Sequence, residues 1–324
     1  ALPENQWLVA RTGHNDTFEN GNGLLEVTLF NQDFTPKNPQ RLTTANGSTY
    51  AQLVYANNKI YLLTRDTNNG WGVFISDDLA KTWSPFQALN LGTLRQYALL
   101  KKEMLLGQNF ERVLLHIGNH PLDHEQNIAY TYLDLHSDDT LETLTSITLE
   151  EKPTESNWNI EYSTFNKKST NTRFLDAKNN QNNMCHLYSS LTPNNHSQWQ
   201  LNVVATDTEA ERSNNLNLGI FAGTLGDDDY ITGASIKKCQ LFIGGSIEVL
   251  IAHKLPETNQ YVIELISLDA QSGQLVNSEI IYSSEKVLYR PIYIEALNYV
   301  MFNEADYWFK YYKWHADQKV IKLN

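Results

Sequence analysis

The side chains best suited to chemistry in this chain are scattered arginines and tyrosines with one histidine. They are Tyr50, Arg65, the pair Arg95 and Tyr97, His120, the pair Arg173 and Asp176, Tyr230, and Arg290. Arginine presents a rigid fork of donors that matches a planar carboxylate. A histidine or tyrosine beside it can take or give a proton. In an elimination, Arg290 or Arg173 would neutralise a carboxylate and so acidify the neighbouring C–H. His120, Tyr50 or Tyr230 would then move the proton, with Asp176, Arg95, Tyr97 and Arg65 holding the rest of the substrate. In a hydrolase an arginine cluster would bind the carboxylate, and a tyrosine would act as nucleophile.

These residues are far apart in sequence, so the fold must bring them together. Helical periodicity is hard to find. Short apolar or alternating runs recur instead, broken by Asn, Asp, Gly, Ser and Pro, as at Leu24–Phe30, Tyr50–Tyr55, Ile60–Arg65, Trp71–Ser76, Met184–Ser190, Gln198–Ala205, Ile247–His253 and Tyr261–Leu268. Such a pattern predicts an all-β chain. A strand ending in an Asp-containing turn recurs around Asp78, Asp134, Asp207 and Asp269, at intervals of 56, 73 and 62 residues. That interval suits one four-stranded sheet per repeat, which is a β-propeller blade. The expectation is a single propeller domain over residues 1–324 with six blades, five or seven being the other counts. The N-terminal strands Trp7–Phe30 would close the ring with the C-terminal strands. Tyr50, Arg95 with Tyr97, Arg173 with Asp176, Tyr230 and Arg290 each begin a run that reads as an innermost strand. The axial mouth of a propeller would gather them, with His120 on a polar loop beside them.

One motif is specific. Ser76-Asp77-Asp78-Leu79-Ala80-Lys81-Thr82-Trp83 resembles the Asp box, S-x-D-x-G-x-T-W, of the neuraminidase-repeat propeller superfamily. In that motif Ser76 and Asp78 accept backbone N–H bonds within a tight turn, Thr82 adds a further bond, and Trp83 wedges between sheets. Ala80 stands where the family has glycine, which strains the turn if that position needs positive φ. Ser48–Tyr55 with Lys59–Arg65, Ile117–Pro121 with Asn127–Tyr132, Tyr230–Ala234, and Tyr289–Pro291 look like further segments of the same group, which includes sialidases and polysaccharide lyases. The resemblance implies a carbohydrate-active propeller, a lyase or glycoside hydrolase on an acidic or rhamnose-containing glycan. A non-catalytic, lectin-like propeller and a protein-interaction scaffold are the alternatives. Arg11 is followed by Thr-Gly rather than the Ile-Pro or Leu-Pro of sialidases, which weighs against that branch.

Composition narrows the field. The net charge is −12 and no basic stripe is visible, which argues against nucleic acid as a partner. The 17 Tyr, 12 Phe and 7 Trp suit both strand packing and stacking on sugar faces. No run of about 18 apolar residues offers a membrane span. Cys185 and Cys239 form no CxxC pattern and read either as one disulfide or as two buried thiols. The histidines show no metal-ligand spacing, so no cofactor is expected, although Asp227-Asp228-Asp229 could take a structural Ca²⁺. The start at Ala1-Leu2-Pro3 leans towards a processed, secreted or periplasmic protein, and a monomer is expected.

Overall fold

The computed structural model describes residues 2, 6–17, 23–33, 35–56, 58–66, 70–88, 97–103, 110–118, 128–136, 172–180, 183–192, 195–207, 212–225, 230–306 and 316–323. The alternating runs become strands, and among the described residues there is no α-helix, only a 3-10 turn at Glu295–Leu297. The chain divides into two compact units, one comprising Ala1–Ile117 with Ala129–Trp158, the other Gly118–Ile128 with Asn159–Asn324.

The first unit contains β1 (Trp7–Thr17), β2 (Gly23–Phe30), β3 (Pro36–Leu42), β4 (Ser48–Ala56), β5 (Lys59–Asp66), β6 (Gly70–Ser76), β7 (Gln87–Ala88), β8 (Tyr97–Glu103), β9 (Phe110–Gly118) and β10 (Ile128–His136). They form three meanders with strand orders β1-β2-β3, β4-β5-β6-β7 and β10-β9-β8. Every residue of β6 is buried, which explains why its sequence is a continuous apolar run rather than an alternation. Leu25 and Val27 of β2 pack on Leu62 of β5 and Phe74 of β6, with Leu53, Trp83 and Phe86 around them. The first two meanders therefore share one core. Each such aliphatic residue contributes about 1.5–3 kcal/mol.

The turn after β6 is closed by its own side chains. Asp78 Oδ1 accepts the N–H groups of Lys81 and Thr82 at 2.9 Å each, and its Oδ2 accepts the Thr82 hydroxyl at 2.7 Å. Ser76 Oγ accepts Ala80 N–H at 2.9 Å and donates to Asp78 Oδ1. Leu79 and Ala80 take φ of 58° and 65°, so the position where alanine replaces glycine is left-handed. Trp83 packs against two apolar clusters, one around Leu62 and Phe74 and the other around Ile60 and Ala80. These hydrogen bonds hold the Asp78 carboxyl below the usual carboxylate range against the opposing effect of burial, which is the largest single influence.

The second unit contains β11 (Thr172–Asn180), β12 (Asn183–Thr192), β13 (Asn195–Asp207), β14 (Arg212–Ala222), β15 (Thr224–Leu225), β16 (Tyr230–Ile231), β17 (Ala234–Cys239), β18 (Ser246–Lys254), β19 (Tyr261–Asp269), β20 (Leu275–Ser284), β21 (Val287–Ile294), β22 (Tyr299–Ala305) and β23 (Asp317–Lys322). The strands run as antiparallel meanders β11 to β14, β17 to β20 and β21 to β23, the first two touching through the single pair Ala222 and Lys254. Trp199, Leu201 and Val203 of β13 pack on Ile247, Val249 and Ile251 of β18. The other face of β18 places Leu250 and Ala252 against Leu288, Val300 and Phe302 of the last meander. Strand β18 is covered on both faces, whereas β20 is exposed along most of its length. Cys185 of β12 and Cys239 of β17 are disulfide-bonded, with Cα atoms 6.0 Å apart. After β19, Asp269 Oδ1 accepts the N–H groups of Gln271 and Ser272, a turn closed in the same manner as that at Asp78. The polar segment 150–171, the acidic turn Asp227–Asp229 and the aromatic run Tyr307–Trp314 lie outside the described residues.

Candidate functional site

The first strands of four meanders each carry one extra residue. In β4, Thr49 pairs with Arg65 and Gln52 with Leu63, so Tyr50 and Ala51 together oppose Thr64. In β21, Tyr289 pairs with Asn303 and Ile292 with Met301, so Arg290 and Pro291 together oppose Phe302. Leu175 in β11 and Lys237 in β17 are the extra residues of their strands. A bulge of this kind bends the strand and re-aims a side chain, and bulges concentrate next to active sites.

Tyr50 and Arg290 share a further property. Their φ angles are 59° and 53°, in the left-handed region that a Cβ disfavours. Arg290 also precedes Pro291, whose ring pushes the preceding residue towards extended backbone. Two large side chains thus occupy a bulge position that ordinarily goes to glycine. Non-glycine residues persist there only when their surroundings over-determine them, and such strain clusters at functional sites.

In the first unit those surroundings are polar on one side and aromatic on the other. The Thr64 hydroxyl donates to Thr49 O at 2.9 Å, directly behind Tyr50. Buried Asp66 accepts the Asn46 backbone N–H at 3.0 Å and its side-chain amide at 2.9 Å, fixing the turn that leads into β4. The Arg65 guanidinium lies 4.8 Å from the Tyr50 ring centroid, and the Trp71 ring 6.4 Å from it. A half-buried cation over a tyrosine face is worth roughly 0.5–2 kcal/mol and pre-orders both groups. Two predicted residues, Tyr50 and Arg65, therefore form one cluster, backed by Trp71. Trp71 itself is buried.

In the second unit Arg290 is exposed at its side chain and anchored at its backbone. Its N–H donates to Thr232 O at 2.7 Å. Thr232 is fully buried, its N–H donating to Gly223 O at 3.0 Å and its hydroxyl lying against Gly223 O and Ala252 O. Gly233 follows with φ 96°, and a Cβ there would stand 3.7 Å from Arg290 N. Beside Arg290, burial pushes the Tyr289 phenol up to about 12, the Arg290 charge pulling the other way. Tyr289 is therefore a neutral hydroxyl at neutral pH. In the sequence Thr232 reads only as a strand residue, and no signal there marks it as the partner of Arg290.

The Asp176 carboxylate is spent on backbone, with Oδ1 accepting Ala177 N–H and Oδ2 accepting Ile236 N–H, both at 2.9 Å. It ties β11 to β17. Arg173 lies opposite Ser189 in β11, Tyr230 opposite Leu225 in β16, and Tyr97 opens β8. Arg95 and His120 lie outside the described residues. Among the described residues no group of three or more His, Cys, Asp or Glu side chains is placed to hold a metal ion, and no helix is long and apolar enough to cross a membrane.

No protein-family model and no curated protein matches the sequence. Solved structures do match in fold. Polysaccharide lyase Uly1 aligns over 99% of this chain and 76% of its own, at 11% identity and a TM-score of 0.52. The α-L-arabinofuranosidase Arb93A from Fusarium graminearum aligns over 98% and 89%, at 10% identity and a TM-score of 0.50. An apocarotenoid oxygenase from Synechocystis aligns over 99% and 78%, at 8% identity and a TM-score of 0.52. The chain is thus similar in fold to β-propeller enzymes. At these identities the likeness is one of fold alone, and the three proteins named differ in chemistry.

Proposed function

We propose that this chain is a carbohydrate-active β-propeller of the Asp-box superfamily. It acts as a polysaccharide lyase or glycoside hydrolase on an acidic or rhamnose-containing glycan. The observation that carries the reading is the pair of non-glycine left-handed bulges that present Tyr50 and Arg290. The fold likeness to a polysaccharide lyase and an arabinofuranosidase gives it context, as does the hydrogen-bonded turn at Asp78. In this reading Tyr50 and Arg65 of the first unit, and Arg173, Tyr230 and Arg290 of the second, are candidates to touch the substrate. The buried Cys185–Cys239 disulfide supports a secreted or periplasmic setting, since such bonds persist where the surroundings are oxidising.

For elimination on a uronate, Arg290 pairs with the carboxylate and stabilises the charge that develops as the C5 proton leaves. His120 or a tyrosine takes that proton. The C4–O bond breaks as the C4–C5 double bond forms, and a tyrosine hydroxyl protonates the departing oxygen. No water is consumed. In hydrolysis water would be consumed instead, and no double bond would appear.

The experiment is incubation with a panel of uronic-acid and rhamnose-containing polysaccharides, following both ultraviolet absorbance of the unsaturated product and new reducing ends. Absorbance with reducing ends marks a lyase; reducing ends alone mark a hydrolase. Binding on a glycan array without turnover by either measure would replace the enzyme with a lectin-like protein. Full activity in both Arg290→Ala and Tyr50→Phe would remove these residues from the site.

A further inference from the structure

Three first strands of the second unit send one long side chain each towards a common point. Lys178 of β11 and Lys237 of β17 place their ammonium groups 5.7 Å and 5.9 Å from the ring centroid of Tyr293 on β21. The bulge in β17 adds to this. In a regular strand Lys237 and Lys238 would point to opposite faces. With the extra residue, both reach the carboxylate of Glu248, Lys237 in direct contact and Lys238 at 3.8 Å. The bulge is pinned from β11, because Asp176 Oδ2 accepts the N–H of Ile236, the residue just before it. Lys178 pairs at 2.8 Å with Glu295, whose side chain is 75% exposed on the 3-10 turn after β21.

Three ammonium groups therefore gather beside the carboxylates of Glu248 and Glu295, while the nearby Asp176 carboxylate accepts backbone N–H groups, in a chain whose net charge is −12. The two lysines at Tyr293 are within about 12 Å of each other and repel. Glu248 answers Lys237 and Lys238 jointly. The Lys178 partner is an exposed carboxylate, and such pairs hold weakly. A ligand anion would displace Glu295 from Lys178 at little cost. The half-buried Tyr293 ring supplies a flat wall, and its hydroxyl is fixed by donation to Asn298 Oδ1 at 3.0 Å.

We propose that Lys178 and Lys237 around Tyr293, with Lys238 beside them on Glu248, form an anion subsite for the carboxylate or sulfate group of a saccharide. This rests on the carbohydrate reading above and names the charge class of its ligand. Calorimetric titration tests it with four probes: a glucuronate-containing oligosaccharide, a sulfated neutral oligosaccharide, an uncharged oligosaccharide of equal length, and inorganic sulfate. The wild type should bind one charged oligosaccharide about tenfold tighter than the uncharged one, with the preference shrinking as salt is raised. Which charged arm wins identifies carboxylate or sulfate. The K178A/K237A double variant should lose that preference and keep its affinity for the uncharged probe. The K178R/K237R variant should retain it within a few-fold. Lys254→Ala, which removes a lysine stacked on Tyr261 elsewhere in the unit, should change nothing. Sulfate binding that depends on both lysines, without saccharide binding, would keep the subsite and discard the carbohydrate reading. No preference for charge in the wild type, or an undiminished preference in K178A/K237A, would overturn the subsite and leave that reading standing.

Discussion

Replacing Arg290 with glycine should stabilise the protein relative to replacing it with alanine. Both substitutions delete the same exposed side chain, so their difference isolates the backbone. Arg290 has φ 53°. An alanine there retains a Cβ and its left-handed penalty of about 1–2 kcal/mol. Glycine pays almost none of that penalty, but its unfolded chain is freer by about 0.5–1 kcal/mol. The expected balance favours R290G over R290A by about 0.5–1 kcal/mol, read as a higher urea midpoint at unchanged m-value. A control sits on β20, where Asn277 is an exposed strand residue paired with Ser267. There the sign should reverse, N277G being less stable than N277A by about 0.5–1 kcal/mol. If R290G proved the less stable of its pair, as at Asn277, the strained bulge would not exist and the argument that selection holds an arginine against a backbone cost would fail. Glycan turnover or binding should fall in both Arg290 variants, so that R290G trades activity for stability.

Three other outcomes follow from buried groups and turns. Reducing the Cys185–Cys239 bond, or making the C185S/C239S variant, should cost about 4 kcal/mol by loop-closure entropy for a separation of 54 residues; an unchanged unfolding midpoint under reductant would refute it. His186 is fully buried, and desolvation lowers its pKa from 6.5 to about 3. A depressed folded pKa means that its stabilising contribution is complete above pH 6.5 and is lost as pH falls towards 3, by roughly 5 kcal/mol at most. Denaturation midpoints measured across that window should fall more steeply in the wild type than in His186→Gln, and parallel curves would exclude His186 as the cause. At the turn after β6, Ala80→Gly should add about 0.5–1 kcal/mol by relieving φ 65°, whereas Asp78→Ala, which strips acceptors from two backbone N–H groups and two hydroxyls, should cost about 2 kcal/mol or more. Thermal melts of the two variants should move in opposite directions.

The all-β class was legible because strand periodicity is written in the sequence wherever a strand has one buried face, and continuous apolar runs such as Gly70–Ser76 appear where both faces are covered. The turn at Ser76–Trp83 was legible because a short-range motif closes it, needing no distant partner. The disulfide was not, since Cys185 and Cys239 meet only because β12 and β17 pack together. The candidate site lay between these cases. Tyr50, Arg65 and Arg290 could be picked out by residue type and by their place at strand ends, but the feature that sets two of them apart could not. A left-handed bulge announces itself in sequence through glycine, and here the positions hold Tyr-Ala and Arg-Pro. The same limit hid the lysines at Tyr293. Each one alone reads as a solvated strand residue, and their convergence depends on the bulge at Lys237 and on Asp176 holding Ile236. Local rules thus reveal the scaffold where it obeys them. The residues that break those rules are the ones that carry the functional argument, and only the backbone shows where the breaks occur.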